Sequence, residues 1–90
     1  MGGEGDYAVV IEFDPWATDQ LRGRQWHPSQ QTTELPGGAS RFHLRLSALE
    51  EVERQVLSWG THATVIRPQL LANRLHQTTT TLTARYTPQN

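Results

Sequence analysis

Ninety residues, 36% of them hydrophobic, with no cysteine and a net charge of −1, narrow the possibilities before any motif is read. The length admits one domain with a modest core, and the lack of cysteine removes a disulfide framework and any thiolate metal site. The near-neutral charge argues against tight nucleic-acid binding through a broad basic surface, and no apolar run reaches the roughly 18 residues of a membrane span.

The opening "MGGEGD" lacks the basic start and apolar stretch of a secretory signal. Residues 1–6 read as a flexible leader with the paired glycines that cloning often adds. Residues 87–90 read as a disordered tail, which leaves 7–86 as the domain. The cysteine-free composition fits a cytoplasmic protein. All eight basic residues are arginine, which suits planar, bidentate contacts better than diffuse attraction.

Residues 7–13, "YAVVIEF", place Tyr7, Val9, Ile11 and Phe13 on one side of a strand. A short helix over 15–22 follows. Asp14 can cap it, Pro15 suits its first position, and Gly23 can end it. Residues 24–34 read as a second strand, interrupted at Pro28. A proline costs a ladder hydrogen bond, so this strand belongs at a sheet edge or carries a bulge. "LPGGA" at 35–39 is turn chemistry.

"SRFHLRLS" at 40–47 alternates with a two-residue period. Phe42, Leu44 and Leu46 share one face, while Arg41, His43 and Arg45 share the other, as in a half-buried antiparallel strand. "SALE" at 47–50 has the form of a capping box, with Ser47 as N-cap and Glu50 three residues on. Leu49, Val52, Val56 and Trp59 then fall at helical spacing, and Gly60 stops a helix over 48–59. "HATVIRP" supplies a fourth strand over 62–67. A last helix over 68–84 carries Leu71, Leu75, Thr78 and Leu82 on one stripe, weakened by the β-branched run at 78–81.

The order predicts an α+β fold. It is the ferredoxin-like βαββαβ pattern, an antiparallel four-stranded sheet with an additional C-terminal helix. Helices would cover one face of the sheet and leave Arg41, His43 and Arg45 on the other.

The pieces "WHPSQ" (26–30), "LPGG" (35–38), "LSWG" (57–60), "TVIRPQLL" (64–71) and "ARY" (84–86) occur in one order. As a set they resemble the C-terminal extension domain, called WCX, of bacterial WYL-domain transcriptional regulators. The resemblance runs from Tyr7 to Tyr86. It implies a ferredoxin-like domain that follows a winged helix-turn-helix and a WYL domain, and that helps dimerise the regulator or transmit its signal. The implied partners are the WYL domain of a parent chain and a second subunit. DNA would be reached only through a helix-turn-helix that this sequence does not contain.

No catalytic motif is present. His27, His43, His62 and His76 show no H-x₃-H pair, so no metal site is expected. Ser29, His27 and Asp14 or Asp19 can be drawn as a hydrolase triad, but no G-x-S-x-G elbow supports it. No cofactor is expected. The candidate contact residues are Arg24, Trp26, His27, Arg41, His43 and Arg45. They serve a protein partner or, in the alternative, a nucleotide or single-stranded nucleic acid on the Arg-bearing sheet face. Trp26 and Trp59 read as core or interface packing. Ser29 and Gln30 read as satisfying backbone groups near Pro28.

Overall fold

A computed structural model describes residues 7–86. The expected leader and tail lie outside the described residues. The elements run β1 (Tyr7–Phe13), α1 (Pro15–Gln20), β2 (Gln31–Glu34), β3 (Ser40–Leu46), α2 (Glu50–Ser58), β4 (Ala63–Arg67) and α3 (Gln69–Arg85). The four strands form one antiparallel sheet in the order β2-β3-β1-β4. This is the split βαβ arrangement, with α3 added at its end.

The alternation of β1 and β3 decides which face is dry. In β1, Val9, Ile11 and Phe13 are buried; in β3, so are Ser40, Phe42 and Leu44. They pack under Ala17 of α1, Val52 and Val56 of α2, and Leu71 of α3, with Leu21 and Leu49 filling from the element ends. Full burial of a side chain such as Ile11 or Phe13 is worth about 1.5–3 kcal/mol. Ser40 is the buried polar residue of the described chain. Its Oγ lies 2.9 Å from Thr18 Oγ1, which ties α1 to β3 and satisfies a hydroxyl that would otherwise be costly there.

Helix α1 is shorter than its expected span. Asp14 caps it, with Oδ1 accepting the Ala17 N–H at 2.8 Å, and Pro15 takes the first position. After Gln20 the chain tightens into turns, Arg22 N–H to Asp19 and Arg24 N–H to Leu21, and passes Gly23 at φ 76°.

The second strand departs most from expectation. Only Gln31–Glu34 pairs with β3, at the sheet edge as anticipated. Residues 24–30 are not strand. The Gln30 N–H donates to His27 O at 2.9 Å and closes a turn with Pro28 at its second position, where the fixed φ of proline fits. The Trp26 N–H is taken by Gln30 Oε1 at 2.7 Å instead of by a neighbouring strand.

The capping box at 47–50 is also not made. Helix α2 begins at Glu50, with Leu49 as N-cap and no side-chain cap bond. Leu49 is 6% exposed, so its burial decides where the helix starts, and Ser47 stays outside it. At the other end Gly60 adopts φ 60° as expected. In α3 the stripe leaves the core partway: Leu71 is buried, Leu75 is half-buried, and the chain from Thr79 to Tyr86 is exposed. The Arg74 Nε donates to Glu53 Oε1 at 2.7 Å and links α3 to α2.

Candidate functional site

The six residues singled out in the sequence separate into two groups. Arg41, His43 and Arg45 project from β3 on the side opposite the core. Val10, Glu12, Thr33 and Thr64 share that side through the strand register. These positions range from half-buried to exposed.

Arg41 faces Glu12 directly across the β1–β3 ladder. Its Nε and Nη2 donate to Glu12 Oε2 at 3.0 and 2.6 Å. A cross-strand ion pair of this kind contributes about 0.2–1 kcal/mol. It also takes Arg41 out of the pool of free cations. The His43 and Arg45 side chains make no hydrogen bond or ion pair to other described residues.

Trp26 and His27 lie on the other side. Trp26 packs edge-on to Phe13 and Phe42, with ring centroids 5.5 and 5.6 Å apart. Edge-to-face pairs at this distance favour fixed ring positions. His27, Trp26, Leu44, Leu46, Val52 and Gln55 border a recess of about 220 Å³ beside α2.

The turn that carries His27 is stitched to the end of β3. Ser29 Oγ accepts the Arg45 N–H at 2.9 Å and lies 2.7 Å from His27 Nδ1. The Ser29 N–H donates to the same ring nitrogen at 3.1 Å, which leaves the proton of a neutral ring on Nε2. Gln30 accepts from Trp26 and donates to Arg24 O at 3.3 Å. Ser29 and Gln30 therefore hold backbone, as their residue types suggested. The triad drawn from Asp14, His27 and Ser29 is not assembled, since Asp14 binds His62.

Arg24 belongs to a third place. It borders a cleft with Trp16, Gln55, Ser58, Trp59 and His62. Here His62 Nδ1 lies 2.6 Å from Asp14 Oδ2, and the Asp14 N–H donates to His62 O at 3.1 Å. The Asp14 carboxyl is held below its usual value, first by the Ala17 N–H and then by His62. Trp16 lies over His62 with centroids 4.5 Å apart and meets Trp59 at 6.1 Å.

In the sequence, Trp16 falls simply within the expected helix over 15–22, and His62 within the fourth strand and among the histidines that lack metal-ligand spacing. The signal was available in the pairing of two strands. Once Phe13 is set opposite Ala63, Asp14 and His62 must be neighbours.

Among the described residues no three His, Asp or Glu side chains gather as metal ligands would. No helix of the described chain is long and apolar enough to cross a membrane.

Fold and surface together define a split βαβ domain with one sheet face left without helices. A family model, the WCX domain, matches residues 5–83, and the chain belongs to that family. WCX domains are typical of WYL-domain transcriptional regulators and are not known to be catalytic. Comparison with curated proteins finds no match.

Proposed function

We propose that this chain is a non-catalytic regulatory and dimerisation module of a WYL-family transcriptional regulator. It docks on the WYL domain of its parent chain or on a second subunit, and it conveys effector state to a winged helix-turn-helix outside this sequence. The observation that carries the reading is the sheet face bearing His43 and Arg45, which no helix covers, beside the four-residue edge strand β2. An edge strand offers backbone groups to a partner, and an uncovered face offers side chains.

The pairing of Arg41 with Glu12 favours a protein partner over nucleic acid on this face. It leaves Arg45 of β3 and Arg67 of β4, opposite Val10, as the arginines here without a described partner, which is a sparse footing for a phosphate chain. Such a module acts in the cytoplasm, where the regulator meets DNA.

The test uses a regulator in which this domain follows a WYL domain. Arg45→Glu reverses a charge without touching the Arg41–Glu12 pair. The expected result is weakened dimerisation or a lost effector response, with the domain still folded. Dimerisation, effector response and DNA binding all at wild-type level would show that the face is merely solvated.

A further inference from the structure

The cleft beside α1 is built differently from the open sheet face. Ala17 turns into the core and is fully buried, so Trp16, one residue earlier on the helix, turns outward. Trp16 is 54% exposed. That is unusual for a large indole, which normally hides most of its surface.

The ring is nonetheless fixed. His62 lies against it at 4.5 Å and an interplanar angle of 35°, and Trp59 meets it near edge-on at 66°. His62 is itself pinned by Asp14, and Asp14 by its cap bond to Ala17. An exposed aromatic held in place by two others and a hydrogen-bonded carboxylate loses little entropy when a flat group settles on it. The cleft is an open depression of about 360 Å³, so a ligand there would keep one face in water.

Charge selects the class of ligand. Asp14 is occupied by the Ala17 N–H and His62. The Arg24 guanidinium makes no hydrogen bond or ion pair to any described residue and is the arginine that lines the cleft, whereas Asp14, bonded to His62, is not among the lining residues. Aromatic walls alone would also suit a cation. Arg24 turns the preference toward an anion, to which its donor fork can bind in pairs. Gln55 also lines the cleft and brings an amide to it.

We propose that this cleft binds a planar aromatic anion, its ring seated against Trp16 and its acidic group on Arg24. The site is separate from the β3 face and does not depend on the docking role assigned to that face.

The test is a titration of the 90-residue protein with adenosine 5′-monophosphate, followed by two-dimensional ¹H–¹⁵N NMR. Adenosine and inorganic phosphate serve as the half-ligand controls. The indole N–H signals of Trp16 and Trp59 should move, while that of Trp26, packed on Phe13 and Phe42, should stay. Arg24→Gln should weaken the monophosphate about ten-fold, as loss of a charged hydrogen bond does, and leave adenosine unchanged. Trp16→Ala should abolish both. Arg24 is exposed, so its replacement tests the site even if Trp16→Ala loosens α1. Three results would each overturn the proposal: no shift by about 10 mM ligand, a concentration that would detect millimolar affinity; shifts confined to β3; or indifference to Arg24→Gln.

Discussion

His62 Nδ1 stands 2.6 Å from Asp14 Oδ2, while Asp14 Oδ1 receives the Ala17 N–H at 2.8 Å. One carboxylate thus closes the end of β1, starts α1 and fixes the residue that leads into β4. The two strand ends are joined again by the backbone bond from Asp14 to His62.

The pH dependence follows from the direction of the Asp14 shift. Its folded-state carboxyl lies below the ordinary 3.8, so the unfolded chain takes up a proton first as acid is added. The stabilisation is fully present above pH 3.8 and is lost as the pH falls below that value through the folded pKa. Asp14→Asn keeps a serviceable cap but cannot ionise. Its destabilisation relative to wild type should be larger at pH 6 than at pH 2.5, as measured by urea denaturation at both. An equal difference at the two pH values would mean that the Asp14 charge contributes nothing.

Leu44 is 2% exposed at the centre of β3, facing α2. Leu44→Ala should cost about 2–5 kcal/mol, the range for large-to-small core changes. In a domain whose total stability is about 5–15 kcal/mol, that is a large fraction. Chemical denaturation reports it, and a loss under about 1 kcal/mol would place Leu44 outside the core.

Gly60 sits at φ 60°, and a Cβ added there would meet nothing within 4 Å. Any cost of Gly60→Ala is therefore conformational. It should be about 1–2 kcal/mol, the penalty of a left-handed residue bearing a side chain, and Gly60→Asn should cost less. A thermal melt separates the two. Equal melting temperatures for alanine and asparagine would point to a cause other than backbone conformation.

The Gln30 side chain replaces a missing strand. With its Oε1 on the Trp26 N–H at 2.7 Å, Gln30→Ala should cost about 0.5–1.5 kcal/mol, the worth of one hydrogen bond. It should also broaden the Trp26 indole signal, because the loop that aims the ring at Phe13 loosens. Unchanged stability together with a sharp Trp26 signal would show that the aromatic packing alone sets the loop.

The sequence carried the strand pattern because β1 and β3 each have one wet and one dry face, and a two-residue period is the direct mark of that. β2 was overestimated at its start, because Trp26 is drawn into the core and Pro28 sits in a turn, so residues 24–30 do not pair with β3. Helix α2 was placed correctly, but its start depended on the burial of Leu49, which a capping motif cannot reveal. For the candidate site, residue types were legible, and sides were legible only where a regular strand carries them. Arg41, His43 and Arg45 fell on one face as their spacing required. The face on which Trp26 and His27 fell depended on how residues 24–30 turn, and the Asp14–His62 pair depended on a strand register far apart in the chain.

Helix α3 makes a lever. At 1.5 Å per residue, its 17 residues span roughly 26 Å, yet its fully buried residue, Leu71, lies in the first turn. A helix gripped near one end turns a small tilt at that end into a large sweep at the other. A displacement of Arg85 by a neighbouring body would return to Leu71 and the bulged joint between β1 and β4 as a much smaller, more forceful movement.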